Sequence, residues 1–177
     1  MKLTKKLLAM ALAGVMLLTI LTGCSGGKTG DRLAEEYMAT FLSENLGYKD
    51  VPITHDVPEI KTVADMFDAS WLNENNGKWN ISSTDASYTA LRNIFSKYSS
   101  GYTVNLYACE VDSKQSELNQ TMRVMSTIFY GLSVYRFSVT PPSPAPLTAI
   151  QCATRLVTRG DKSYRIAVII YDHHAVG

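Results

Sequence analysis

The spacing of hydrophobic residues changes along the chain from a helical period to a strand period. Between residues 31 and 98, hydrophobic side chains recur every three or four positions, which is typical of helices that bury one face. From residue 102 onward, hydrophobic and polar residues largely alternate, which is typical of strands. The pattern therefore predicts helices in the first half of the chain and a sheet in the second half.

Three helices are predicted before residue 100, each with its own start and stop signals. Asp31 is a suitable N-cap for the first, and Gly47 is a suitable stop after it. The predicted bounds are Asp31 to about Leu46, Thr62 to the Asn75-Asn76-Gly77 turn, and Thr84 or Asp85 to about Tyr98, with an extended connection at 48–59 and a short strand at Lys78 to Ser82.

Four strands are predicted after residue 100. Their bounds are Tyr102 to Val111, Thr121 to Thr140, Leu147 to Thr158, and Ser163 to Asp172. The second is too long to be straight, so a bulge or bend is expected at Gly131. A polar loop or brief helical turn is expected at 112–119, a stiff proline-rich loop at Pro141 to Pro146, and a two-residue hairpin turn at Gly160-Asp161.

Helices early and strands late predict an α+β fold. We expect about three N-terminal helices packed on one face of a curved antiparallel sheet of four or five strands. This order of elements, from Asp31 to Asp172, resembles the NTF2-like fold, and the resemblance implies a pocket between the sheet and the helices. A cystatin-like sheet wrapped on one helix is the alternative.

The N-terminal residues have the pattern of a secretory signal. Lys2, Lys5 and Lys6 precede an uncharged apolar run from Leu7 to Ile20, which is short for a membrane span. Leu21-Thr22-Gly23-Cys24 follows and resembles the lipobox of bacterial lipoproteins. The resemblance implies cleavage before Cys24, a diacylglyceryl group on its thiol, and often an acylated amine.

The lipobox resemblance also implies a domain organisation and a location. Residues 1–23 are expected to be the signal peptide, 24–30 a flexible tether, and 31–177 a single domain. The mature protein would be lipid-anchored, facing outside the cytoplasm, at the cell membrane or in the periplasm of a species with two membranes. Two acyl chains are enough for stable attachment to the membrane.

Removal of the signal changes the charge of the chain from slightly basic to slightly acidic. The full chain has 17 basic and 16 acidic residues, and loss of three lysines leaves 14 and 16, a formal charge of −2. Nucleic acid is not an expected partner, because its binding calls for a clustered basic face. The expected partners are the lipid membrane, through Cys24, and a protein or small molecule.

Cys109 and Cys152 are the two cysteines of the mature part beyond Cys24, and both fall in predicted strands. Outside the cytoplasm they are candidates for a disulfide. The alternative is a pair of buried thiols, a common state of unpaired cysteine. The sequence leaves both alternatives open.

The remaining chemistry-bearing residues do not form a recognisable catalytic or metal-binding pattern. His173 and His174 are adjacent near the C-terminus, and His55 lies in a proline-flanked loop. Asp65 and Asp68 are the carboxylates that an NTF2-like enzyme could use, provided that they are buried. We assign no catalytic residue, metal or cofactor, and expect a ligand- or protein-binding lipoprotein. An NTF2-like enzyme that uses a carboxylate or tyrosine, and an assembly subunit of an envelope complex, are the alternatives.

Overall fold

The computed structural model describes residues 30–72, 81–138 and 146–174. The helices in these ranges are α1 (Gly30–Asn45), α2 (Ile60–Met66), α3 (Ala86–Ile94) and α4 (Glu117–Phe129), with a 3-10 helix at Ala69–Leu72. The strands are β1 (Ile53–Thr54), β2 (Tyr102–Val111), β3 (Tyr135–Ser138), β4 (Ala149–Arg159) and β5 (Lys162–Asp172). The signal peptide, the lipobox with Cys24, the tether up to residue 29, the turn at 75–77 and most of the proline-rich loop lie outside the described residues.

The five strands form one open sheet in the order β1-β4-β5-β2-β3. The strands from β4 to β3 pair in antiparallel fashion, and the hairpin at Gly160-Asp161 joins β4 to β5 as predicted. β1 is the exception, because it pairs with β4 in parallel at Ile53↔Ile150. The sheet is therefore mixed, whereas an antiparallel sheet was expected.

Helices cover both faces of the sheet, although the sequence pattern was interpreted as placing them on one face. Ile166, Val168 and Ile170 of β5 face a core shared with α2 and α3, while Ala167 and Ile169 face a core shared with α1 and α4. A strand buried on both sides must be hydrophobic on both sides, and residues 166–170 are apolar without interruption. The α+β class is confirmed, and helices packed on an open five-stranded sheet are consistent with the NTF2-like fold.

The prediction of one long strand from Thr121 to Thr140 was wrong. Most of this segment is α4, which the Ser116 hydroxyl caps by accepting a hydrogen bond from the Asn119 amide. The buried residues of α4 recur at helical spacing: Gln120, Thr121, Val124, Met125 and Ile128. β-branched residues favour strands only weakly, so the cap and the period decide the structure here.

Gly131 ends α4 instead of bending a strand. It has a φ of 67°, its amide donates to the Ile128 carbonyl at 3.0 Å, and the Leu132 amide donates to the Thr127 carbonyl at 2.9 Å. These two bonds are the Schellman motif, in which a left-handed glycine satisfies the last carbonyls of a helix. The chain then turns back to form the short β3.

The other predicted elements differ from the structure mainly at their ends. The second helix starts two residues earlier than expected and stops at Met66, where the Arg159 guanidinium donates to the carbonyls of Ala64, Asp65 and Phe67. The third stops at Ile94 instead of Tyr98. Within the predicted strand at 78–82, the described residues 81 and 82 are not in a strand. Among the described helices, none is long and apolar enough to cross a membrane.

Candidate functional site: the open edge of β2

The sheet has two partly unpaired edges, and helix α1 covers one of them. β1 pairs with only two residues of β4, so the amides of Thr154 and Leu156 point beyond the sheet. Glu35 accepts from the Thr154 amide at 3.4 Å, and Asp31 accepts from the Leu156 amide at 3.1 Å. The carboxylates of α1 thus occupy the hydrogen-bonding positions that another strand would use.

The second partly unpaired edge belongs to β2. β3 pairs with β2 at residues 103–106, and the Leu106 carbonyl still accepts from the Val134 amide at 2.9 Å. Backbone groups of alternate residues point to the same edge of a strand, so those of Ala108 and Glu110 point in the same direction as those of Leu106. No described strand pairs with β2 beyond Leu106 on this side.

A cleft of about 650 Å³ lies along this unpaired stretch of β2. The 3-10 helix and Tyr164 form one wall, Arg123 and Thr127 of α4 form the other, and Leu132 and Val134 close one end. Ala108, which is 3% exposed, lies at the floor, and the exposed Glu110 lies at the mouth. The cleft therefore presents strand backbone between two walls.

A second cavity, of about 630 Å³, continues the cleft toward the β4–β5 hairpin. The two cavities share Glu110, Arg123 and Lys162 in their linings. The first is lined largely by apolar side chains. The second is lined mostly by polar ones, since every lining residue except Val111 is polar: Glu110 to Lys114, Arg123, and Asp161 to Ser163. Together they form a groove with an apolar half and a polar half, which we call the edge groove.

Three charged side chains lie where the two halves of the edge groove meet, and Asp112, Lys114 and Asp161 line the polar half beyond them. Lys162 Nζ lies 2.8 Å from Glu110 Oε2, so these two exposed side chains neutralise each other. Arg123 lines both halves and has no hydrogen-bond or ion-pair partner among the described residues. Burial raises the pKa of the Cys109 thiol in the apolar half to about 11, so this thiol is neutral at ordinary pH.

Two large apolar side chains close to the apolar half are exposed. Tyr130 is 59% exposed and Leu132 is 43% exposed, both at the C-terminal end of α4. Exposed apolar side chains mark an interaction site when they are continuous with an apolar cleft, whereas single ones are ordinary on a protein surface. Leu132 lines the apolar half and therefore extends it onto the protein surface.

The structure has Cys109 and Cys152 as free thiols. They lie on β2 and β4, which flank β5, and their partners on β5 are Arg165 and Ile169, four residues apart. The buried thiol of Cys152 lies 3.7 Å from His55 Nδ1. Burial raises the pKa of the Cys152 thiol to about 12 and lowers the pKa of His55, so this contact does not supply an activated thiolate.

The other sequence candidates are dispersed. Asp65 and Asp68 are exposed on the α2 side of the sheet, and hydrogen bonds from Ser70 lower the pKa of Asp68, the opposite of what a general base requires. His174 is held in place by Asp172, with its Nδ1 2.6 Å from the carboxylate. No group of three or more metal-capable side chains occurs within the described ranges.

Comparison with protein-family models, with curated proteins and with solved structures finds no match for this chain. The interpretation of the site therefore depends on its geometry. Sequence reasoning missed the edge groove because it assigned the residues of α4 to a strand. The cap at Ser116 and the four-residue spacing of Gln120, Val124 and Ile128 were the signals that would have revealed the helical wall.

Proposed function

We propose that this protein is a lipid-anchored, extracytoplasmic binding protein of the cell envelope, and that its edge groove holds an extended polypeptide segment as an additional strand beside β2. The lipid anchor would be Cys24, through the lipobox resemblance of residues 21–24. The observation that carries the proposal is the unpaired edge of β2 at Ala108 and Glu110, which opens into a cleft.

Strand addition uses the physical chemistry of the sheet itself. An extended segment that enters the groove would exchange backbone hydrogen bonds with Ala108 and Glu110, and its alternate side chains would point to the two walls. One wall contains Tyr164 and the 3-10 helix, and the other contains Thr127 and Arg123. Backbone bonds would provide affinity, and the walls would provide selectivity.

The recessed position of the edge favours a free segment over the edge of a second folded domain. The edge lies between the 3-10 helix on one side and α4 on the other. A second sheet would have to bring its own covering helices into the same space, whereas a single extended chain is about 5 Å wide in the plane of the sheet. The contrast with β4, whose edge amides already bond to Asp31 and Glu35, supports the same conclusion.

A proline at position 110 tests the binding mode. The Glu110 amide points into the groove and away from β5, so Glu110→Pro removes an edge donor without removing a bond of the β2–β5 ladder. Both core clusters lie within residues 30–174, so the domain from residue 25 onward is suitable for the assay without its lipid. The probe is a displayed library of random twelve-residue peptides, and we expect it to yield peptides that bind the unmodified domain.

The matched control is Glu110→Ala, which loses the same carboxylate and the same contact to Lys162 but keeps the amide. Selected peptides should bind Glu110→Pro at least about tenfold more weakly than Glu110→Ala, corresponding to one lost backbone bond, about 1.4 kcal/mol. Thermal unfolding of each variant checks that the domain is intact. Equal binding to both variants, or a library that yields no binder, would refute the proposed mode.

The lipid anchor has its own test. Cys24→Ala should release the protein from the membrane fraction or leave an uncleaved precursor, because the thiol is the acceptor of the lipid in the family that the lipobox resembles. Fractionation and intact-mass measurement report both effects. Unchanged fractionation and an unchanged mass apart from the substitution would contradict the anchor.

A further inference from the structure

The point at which the chain leaves the domain toward Cys24 is fixed by a cluster of contacts. Asp31 bonds to the amide of Leu156 in β4 and to the guanidinium of Arg165 in β5. Gly30 lies against Glu117 at the start of α4, so closely that a Cβ on Gly30 would come within 2.6 Å of the Glu117 carboxylate. The N-terminus of α1 is therefore held at the level of Leu156 and Arg165 in the sheet.

We infer that the domain stands on the bilayer with its β4–β5 hairpin toward the lipid, so that the edge groove opens at the membrane surface and receives an extended juxtamembrane segment of a membrane-embedded protein. This inference rests on the proposed lipid anchor and on the proposed function of the groove. It adds to them an orientation and a class of partner.

The length of the tether works against the opposite end-on orientation. Six residue steps separate Cys24 from Gly30, and a fully extended chain of that length spans about 20–22 Å. Ala149, at the other end of β4, lies seven residues from Leu156, which is about 23 Å along the strand. With that end of the sheet on the bilayer, the tether would be too short to reach the lipid, even before the loops beyond β4 are counted.

The same tether length allows the β4–β5 hairpin end of the sheet to face the bilayer. Gly160 lies four residues beyond Leu156, about 13 Å farther along the strand direction, so the hairpin tip protrudes past the start of the tether. A tether of about 20 Å allows the tip to approach the bilayer closely. The polar half of the edge groove is lined by Asp161 to Ser163 and by Glu110 to Lys114, which places its mouth at this same end.

The side chains that line the groove indicate which kind of segment would bind in it. The apolar half suits hydrophobic side chains, and Arg123, which lines both halves without a described partner, suits a carboxylate. The expected occupant is an extended segment in which an acidic residue lies between apolar residues and the bilayer. A segment that has just emerged from a membrane-spanning helix reaches this mouth without having to pass around the domain.

The orientation is measured with fluorescent labels on the lipidated, full-length protein in vesicles that contain a lipid with a quencher in its headgroup. Asp161→Cys places the label at the hairpin tip, and Asp50→Cys is the matched control at the far end, since both are exposed aspartates. Cys109→Ala is included in both proteins, and Cys152 is fully buried, so that the label reacts at one site. We expect at least about twofold stronger quenching at position 161 than at position 50, and insertion of ten Gly/Ser residues after Gly27 should reduce the difference.

The partner class is measured in the same vesicles. A peptide selected from the library, carrying an acceptor dye, is attached by four residues to a single membrane-spanning helix, and energy transfer from the label at position 50, outside the groove, reports its binding. Arg123→Ala should weaken transfer for peptides with an acidic residue by about tenfold. Equal quenching at both positions, or no energy transfer to the membrane-attached peptide, would overturn the inference. Failure of the free peptides to bind would instead refute the proposed function. The quenching result would still report the orientation of the domain on the bilayer.

Discussion

The contact between Asp31 and Arg165 provides the sharpest test of how this fold is held together. Arg165 is 1% exposed and is among the largest fully buried side chains in the described ranges, yet it carries a positive charge. Its guanidinium donates to Asp31 at 2.5 Å and to the Gln120 amide oxygen at 2.6 Å, while its Nε has no partner among the described residues. Asp31→Ala would leave this buried cation with Gln120 alone.

The expected loss follows from the burial of the two partners. Breaking a buried ion pair by removal of one partner costs about 3–5 kcal/mol, because the remaining charge stays buried and unpaired. The Asp31 side chain is 36% exposed, so water can partly replace it, and we lower the expected loss to about 2–3 kcal/mol. For a domain of this size, that loss corresponds to a decrease in Tm of about 5–10 °C.

The assay is urea unfolding of the domain from residue 25 onward, followed by circular dichroism. Arg165→Met is the informative companion, because it removes the buried charge together with its need for a partner and should cost only about 1 kcal/mol. The double variant should lose only about 1 kcal/mol more than Arg165→Met, for the lost bond to the Leu156 amide, which gives a coupling free energy of about 1–2 kcal/mol. A loss below about 0.5 kcal/mol for Asp31→Ala, or strictly additive effects, would refute the reasoning.

Two further predictions concern the end of α4 and the thiols. Gly131→Ala should lower the free energy of unfolding by about 1–2 kcal/mol, since nothing blocks the new Cβ and the whole effect comes from the φ of 67°. Gly131→Asn should lower it less, because asparagine tolerates a positive φ better than alanine. Equal losses for the two variants in urea unfolding would contradict this cause. The folded pKa values of Cys109 and Cys152 are raised to about 11 and about 12, whereas unfolded cysteine ionises near about 8.5. The folded chain therefore binds more protons above about pH 8.5, so stability should fall as pH rises through this window, by about 1–2 kcal/mol per thiol at pH 10. Urea unfolding at pH 8 and pH 10 should show a smaller decrease for the Cys→Ala double variant, and an identical decrease would contradict the assignment.

The sequence predicted those parts of the fold whose local signals agree with their final environment. β2 runs from Tyr102 to Val111 as expected, and the Gly160-Asp161 turn and β5 follow the predicted bounds within one residue. α1 also starts within one residue of the predicted Asp31, because the apolar spacing indicates a helix there; Asp31 itself lies inside the helix, and its carboxylate bonds to Leu156 and Arg165 instead of capping α1. In these segments, local preference and tertiary packing lead to the same result.

The errors arose where two local signals compete. Thr121, Val124 and Ile128 are β-branched and favour a strand, but Ser116 caps a helix whose buried face they help to form. The side of the sheet on which each helix packs could not be read from one amphipathic stripe, because a stripe does not say which face it meets. The uninterrupted apolar run at 166–170 was the signal that both faces of β5 are buried against other elements.

The same assignment of α4 also determines whether the edge groove exists at all. If residues 121–140 were one strand, β2 would have a long partner and no unpaired stretch beyond Leu106. Because α4 takes most of that segment, only four residues remain for β3. β2 therefore extends beyond β3 toward the β4–β5 hairpin. The helix therefore creates the open edge and also forms one wall beside it, through Arg123 and Thr127. A variant that lengthens β3 at the expense of the turn at 130–133 would consequently close the groove, and Val134, which follows this turn, would have to keep its place in the core for the fold to stay intact.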